Sequence, residues 1–221
     1  MLTKATLCIF VKPPLPGLVK TRLSRCLTAA QAAGLAAAFF ADTFALARSC
    51  EWARVVVACD GDPSPLKLAT GSEVWPQGRG DLGERMERVL SLALESSKAA
   101  MVIGTDLPGL PRRFLDAARL QLAAHDAVIG PSEDGGFYLL GLRRCPSGLL
   151  RGLPWSSATT REHTVERMRS AGLAVAEAES WFDVDVPADL RRLAGLLREQ
   201  RICAPRTAHF LAGLMPRGRS A

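Results

Sequence analysis

Short runs of consecutive apolar residues alternate along the chain with longer stretches whose apolar positions return every three or four residues. Ala5–Val11, Arg54–Ala58, Ala100–Ile103 and Ala127–Ile129 are runs of the first kind. Each is too brief for a helix and apolar on both sides of its pleat, which predicts buried strands of a mainly parallel sheet. The stretch "TAAQAAGLAAAFFADTFALARSC" opens with Thr28 and Gln31 in the spacing of a capping box and continues as Ala-rich helix. "DLGERMERVLSLALESS" repeats the device with Asp81 and Glu84, and Met86, Val89, Leu90, Ala93 and Leu94 mark one apolar face. Further helices are predicted over Arg112–Ala123, Thr160–Ala171 and Ala188–Gln200. "FYLLGL", Phe137–Leu142, breaks the alternation. It follows Ile129 after only a short acidic loop, too little for a helical crossover, so that strand is expected to run antiparallel. The fold class is therefore α/β, a three-layer α/β/α sandwich around a mixed, mainly parallel sheet.

At 221 residues, 48% hydrophobic and 23% charged, the chain has the bulk of one large domain or two small ones. With no repeat or linker in view, it divides into a single domain over residues 1–200 and a basic appendage over 201–221. The net charge of +6 suggests nucleic acid until it is located. From Arg191 onward there are seven arginines and one acid, Glu199, so residues 1–190 are neutral, with 21 basic and 21 acidic side chains. A solvated basic tail explains that distribution better than a nucleic-acid groove. The six cysteines stand at least nine residues apart with no C-x-x-C pair, and the three histidines are scattered, which speaks against zinc and for reduced thiols. The run Ala5–Val11 stops at Lys12, too short for a signal peptide or a membrane span, and no later segment reads as one. The expectation is a cytoplasmic protein.

Two motifs tempt and fail. "GRGDLG", Gly78–Gly83, has dinucleotide-fingerprint spacing, but the residues before it offer almost no strand and it lies mid-chain. "GLVKT" lacks the glycine and spacing of a phosphate-binding P-loop. Four other segments sit where strand ends should converge, the place open α/β sheets bind ligands. In "FVKPPLPGLVKTRL", prolines fix the backbone, Gly17 permits close approach, and Lys20 and Arg22, two apart, would project together if extended. Cations beside free loop amides suit a polyphosphate, although a stiffened surface turn fits the same residues. "VIGTDLPGLP" delivers Asp106 at a strand tip, as a Mg²⁺ ligand or a helix N-cap. "GPSEDGGFYLLG" makes an acidic loop, or simply a hairpin turn. In "WFDVDVPADL", Asp183 and Asp185 alternate along extended backbone and share a face, to bind metal or to cap the helix begun by Pro187. Together these are the components of metal-assisted phosphate chemistry.

"FVKPPLPGLVKTRL", "QGRGDLGERM", "GTDLPGLP", "GPSEDGGFYLLGL", "PWSS" and "DVDVPADL", in this order, resemble a bacterial family of GT-A-fold transferases, named as glycosyltransferases or as radical-SAM/selenodomain-associated transferases. The family is similar to phospholactate guanylyltransferases and, more distantly, to molybdenum-cofactor guanylyltransferases. The resemblance runs from about residue 5 to about residue 197. It implies a nucleotide-diphospho-sugar-transferase-like domain in which Lys12, Pro13, Gly17, Lys20, Thr21 and Arg22 wrap the nucleotide phosphates. It further implies that Gly80 and Asp81 border base or ribose, and that Asp106 holds Mg²⁺ or Mn²⁺ with Asp185, or Asp183, as second carboxylate. Glu133, Asp134, Gly135, Gly136, Trp155 and Ser156 would face the acceptor. At Leu107 and Gly109 the chain departs from its relatives, which more often carry small polar and acidic residues there. Lys20, Arg22 and Asp106 are the expected catalytic residues, and the partners are a nucleotide donor and a small-molecule acceptor. Nucleotidyl transfer to a phosphate or carboxylate and glycosyl transfer with Glu133 or Asp134 as base both fit, the paired cations favouring the former. A binding module without chemistry is the third reading.

Overall fold

The computed structural model describes residues 5–214, in which the apolar runs become one seven-stranded sheet. The strands are β1 (Ala5–Val11), β2 (Ala53–Cys59), β3 (Glu73–Pro76), β4 (Ala100–Ile103), β5 (Ala127–Pro131), β6 (Phe137–Leu142) and β7 (Val175–Glu177), in spatial order β3-β2-β1-β4-β6-β5-β7. All neighbours pair in parallel except β6, which is antiparallel to both β4 and β5, as the short acidic connection requires. The sequence reading missed β3 and β7. Both are brief edge strands with half-exposed residues, so neither shows the continuous apolar run of a buried strand. β3 directly precedes "GRGDLG", so that stretch is not strandless.

Side-chain alternation divides the core. Leu7, Ile9, Val57, Met101 and Ile103 meet Phe40 and Ala47 of α1 (Ala29–Arg48) and Phe114, Leu115 and Ala118 of α3 (Arg112–Gln121) on one face. Cys8, Val56, Val102, Ile129 and Leu140 meet Met86, Val89 and Leu90 of α2 (Leu82–Leu94) and Val165 and Met168 of α4 (Thr160–Ser170) on the other. This is the expected three-layer sandwich. Both predicted capping boxes form: Thr28 Oγ1 accepts from Gln31 N and Asp81 Oδ1 from Glu84 N, with Gln31 and Glu84 accepting in return from Thr28 N and Asp81 N.

A third apolar cluster joins Leu23, Leu35 and Phe39 to Phe182, Val184 and Leu193 of the segment leading into and through α5 (Pro187–Arg198). Residues 205–214 of the expected appendage form α6 (Pro205–Leu214), which lies on α1. Its first turn is capped by Asp42, whose carboxylate accepts from Arg206 N, Thr207 N and Thr207 Oγ1. Gly34 of α1 permits this approach, because a Cβ there would stand 2.5 Å from the Phe210 ring. Residues 215–221, with Arg217 and Arg219 of the appendage, lie outside the described residues. By length and composition α1 could cross a membrane, contrary to the sequence reading, but here Leu35, Phe39 and Phe40 of that helix are core residues.

Candidate functional site

The carboxyl ends of β1 and β4 open onto the same edge of the sheet, and the loops that follow them meet a third segment from far along the chain. After β4, residues 104–106 turn away from the sheet. Val184 N donates to Asp106 O at 2.9 Å, which ties this turn to the extended stretch before α5. That stretch is held on its other side by Trp181 N donating to Pro131 O and Glu133 N donating to Trp181 O. Its period of two places Phe182 and Val184 in the third apolar cluster, so Asp183 and Asp185 point the opposite way, as their spacing predicts. Neither capping alternative holds for these aspartates. The residue before α3 is Pro111, not Asp106, and α5 is capped by Asp189, whose Oδ2 accepts from Asp185 N and Val186 N.

Into this junction comes Lys20. Its Nζ lies 2.7 Å from Asp106 Oδ1 and 2.9 Å from Asp185 Oδ1, and donates to the Val184 carbonyl at 2.7 Å. The Lys20 side chain is only 4% exposed, whereas those of Asp106 and Asp185 are 47% and 39% exposed. Burial by itself would lower the Lys20 pKa, but the charges of Asp106 and Asp185 and their hydrogen bonds outweigh it and hold the ammonium charged above its ordinary range. Asp183 has no such cation among the described residues. Burial, reinforced by Asp134, Asp106 and Asp185, pushes its carboxyl up to about 7, against a weaker opposing effect of Ser132.

Lys20 and Arg22 do not project side by side. Lys20 is left-handed (φ 50°, ψ 35°) and Thr21–Leu23 form a 3₁₀ turn, because Leu23 is drawn into the third apolar cluster. The turn sends Lys20 inward while Arg22 stays exposed, without an ion-pair partner among the described residues.

Two cavities flank the Lys20 junction. One, of about 610 Å³, is lined by Thr21, Arg22, Asp134, Gly136, Trp155 and Ser156, with Phe10 and Phe137 among its apolar walls. The other, of about 440 Å³, is lined by Lys12, Leu18, Thr105 and Asp183, with Ala36 and Leu82 among its apolar walls. Lys20, Asp106, Asp185 and Tyr138 belong to both. Of these, Tyr138, Thr105 and the two phenylalanines escaped the sequence reading. Phe10 and Tyr138 read as ordinary strand residues, and nothing local separates a strand-end side chain that faces a cleft from one that faces a helix.

Several expected site residues lie elsewhere. Glu133 is held bidentately by Arg192 of α5, at 2.5 and 2.9 Å, which keeps its carboxyl below the usual range, and it does not line the cleft. Gly135 is a packing residue at φ 89°, where a Cβ would meet Ala158 O at 2.0 Å. Asp134 Oδ1 accepts from Gly136 N, closing the hairpin turn that the alternative reading foresaw. Gly80 and Asp81 do not border either cavity; Asp81 caps α2, and the next residue, Leu82, reaches the cleft. Pro13 is buried and Gly17, at φ 79°, forms an exposed turn outside both cavities.

A cation is already held at one point by two carboxylates from separate loops, and this is the donor set that Mg²⁺ accepts when phosphates and water complete its shell. No three His, Cys, Asp or Glu residues converge as a metal cage among the described residues, so an ion held by Asp106 and Asp185 would complete its shell with other oxygens, from backbone, water or phosphate.

Compared with known proteins, residues 27–157 match the family described as "Uncharacterized protein conserved in bacteria (DUF2064)". The chain is 31% identical over 165 residues to 3-phospho-D-glycerate guanylyltransferase of Phenylobacterium zucineum (strain HLK1), covering 70% of each chain. It is 27% identical over 176 residues to 2-phospho-L-lactate guanylyltransferase of Methanothermobacter thermautotrophicus, covering 77% of this chain and 76% of that one. Its fold matches a crystal structure from Desulfovibrio desulfuricans G20, of a protein assigned to the nucleotide-diphospho-sugar transferases, with a TM-score of 0.85 at 30% identity, covering 96% and 95% of the two chains.

Proposed function

Since the chain belongs to the DUF2064 family, we propose that it is a nucleotidyltransferase that moves a nucleoside monophosphate from a nucleoside triphosphate, GTP first among the candidates, to the phosphate of a small phosphorylated acid. The observation that carries this reading is the convergence of Lys20, Asp106 and Asp185, drawn from three distant segments, at the meeting of two cavities. Both curated relatives are guanylyltransferases named for phosphorylated hydroxy acids.

In this reading the triphosphate lies across the junction. Asp106 and Asp185 would hold Mg²⁺ or Mn²⁺, which when bound neutralises phosphate oxygens and aligns them for in-line attack. Arg22, exposed at the rim and free of a carboxylate among the described residues, places a guanidinium where charge builds on the reacting phosphoryl group. The larger cavity, with Arg22, Ser156 and Trp155, receives the acceptor. An acceptor phosphate carries its own nucleophilic oxygen at neutral pH and needs no general base. Of the two base candidates, Glu133 is bound by Arg192, and Asp134 lines the cleft with its Oδ1 accepting from Gly136 N. Glycosyl transfer to a hydroxyl calls for such a base. It stays the second reading because of the Desulfovibrio structure.

The test is a matrix of GTP, ATP, CTP and UTP against 3-phosphoglycerate and 2-phospholactate with Mg²⁺ or Mn²⁺, scored by pyrophosphate release and mass spectrometry of the product. A nucleotide-linked acid with stoichiometric pyrophosphate is expected. No pyrophosphate with any triphosphate, alongside consumption of a nucleotide sugar, would replace the proposal by glycosyl transfer.

A further inference from the structure

An ammonium group has three N–H donors and no acceptor. At Lys20 all three have protein acceptors within reach: Asp106 Oδ1 at 2.7 Å, Asp185 Oδ1 at 2.9 Å and the Val184 carbonyl at 2.7 Å. The side chain is 4% exposed, so no donor is left for a phosphate. In this arrangement Lys20 cannot bind the donor's phosphates, and it occupies the point at which Asp106 Oδ1 and Asp185 Oδ1 could share one metal ion. Building on the reading above, we infer that Lys20 is an exchangeable cation: it holds Asp106 and Asp185 together while the site is empty, then leaves them for the phosphates as a metal–nucleotide complex enters.

Three features favour exchange over a permanent ion pair. The carboxylates, at 47% and 39% exposure, are open to solvent on the side away from the lysine, so an entering ion can reach them before Lys20 departs. Lys20 is left-handed (φ 50°), a conformation disfavoured for a residue with a Cβ, so leaving it carries no backbone penalty. The loop before it is loosely seated: Gly17 (φ 79°) has no atom within 4 Å of its Cβ position, and Leu18 is 54% exposed. The position of Lys20 in the cleft suits exchange as well. Lys20 and its two carboxylates line both cavities, so an ammonium released from the carboxylates stays within reach of phosphates lying across them.

The experiment measures Mn²⁺ binding by electron paramagnetic resonance of the free ion. It uses the full chain as wild type, Lys20→Met, Lys20→Gln and Asp106→Asn/Asp185→Asn, each checked for folding by circular dichroism, with and without GTP. Without nucleotide, Lys20→Met and Lys20→Gln are expected to bind Mn²⁺ at least about tenfold more tightly than wild type, because the resident competitor is gone. With GTP present the order reverses: the same variants bind the metal–nucleotide complex about tenfold more weakly, because the phosphates lose their lysine. Two variants of different polarity keep the test decisive if one fails to fold. Unchanged or weaker Mn²⁺ affinity in the folded Lys20 variants, while wild type binds Mn²⁺·GTP and the double aspartate variant does not, would overturn the exchange and leave the site reading standing. If the double aspartate variant binds Mn²⁺·GTP as wild type does, the site reading fails, and the exchange with it.

Discussion

Charge removal at the Lys20 junction should be strongly asymmetric, because the two signs are not equally buried. The ammonium is enclosed, whereas water reaches both carboxylates. In Asp106→Asn/Asp185→Asn the buried cation keeps polar neighbours but loses both counter-charges, the situation that typically costs about 3–5 kcal/mol. In Lys20→Met an apolar side chain of similar length fills the space beside Phe39, whose ring centroid lies 5.5 Å from Nζ. What remains are two hydrated carboxylates repelling each other by about 1 kcal/mol and a Val184 carbonyl short of one hydrogen bond, worth about 1 kcal/mol. Lys20→Met should therefore destabilise by only about 2 kcal/mol. The triple variant should recover to near wild-type stability, since no buried charge is left unpaired. Urea denaturation at pH 7.5 with chelator, fitted with a common m-value, measures all four proteins. The reasoning is refuted if Lys20→Met costs as much as the aspartate pair, or if the triple variant is no more stable than the double.

Other expectations can be checked separately. With a carboxyl pKa of about 7 in the folded protein against an ordinary 3.8, Asp183 binds its proton more tightly when folded. Its stabilising contribution is complete below pH 3.8 and is lost as pH rises to about 7, on the order of 4 kcal/mol. Asp183→Asn should thus gain thermal stability over wild type progressively from pH 4 to pH 8 without metal, and parallel pH profiles would refute the assignment. Arg22→Ala should leave the melting temperature within a degree or two and lower kcat for pyrophosphate release about 100-fold; a change under twofold removes Arg22 from the chemistry. Glu133→Gln, because its carboxylate serves Arg192 on the surface, should cost less than about 1 kcal/mol and leave turnover within threefold. A tenfold loss would return Glu133 to the acceptor site. Gly135→Ala forces a Cβ against Ala158 O in a left-handed residue and should destabilise by about 2–3 kcal/mol by calorimetry.

Much of the scaffold could be read locally. The strands of the sheet's middle, the antiparallel β6 and both capping boxes follow from periods of two and 3.6 and from side chains three residues apart. Asp106 at a strand tip and the shared face of Asp183 and Asp185 follow from the same rules, because extended backbone alternates whatever it packs against. Edge strands β3 and β7 carry no such signal, being paired on one side and half exposed. The direct pairing of the charged residues was not legible. Lys20 finds Asp106 and Asp185 across 86 and 165 residues, and Glu133 finds Arg192 across 59, pairings that depend on loop conformation and not on spacing.

What the amino-acid order determines by itself is the set of elements and the candidates at their tips, since hydrophobic period, caps and turn residues act over a few positions. Tertiary structure decided which cation is buried and which is free. Leu23 enters a distant apolar cluster and winds Thr21–Leu23 into a 3₁₀ turn; the turn separates Lys20 from Arg22, seating one ammonium between two carboxylates and leaving one guanidinium at the mouth of the cleft. Burial energy acts on whichever side chains the whole chain brings together, and no local pattern encodes that choice.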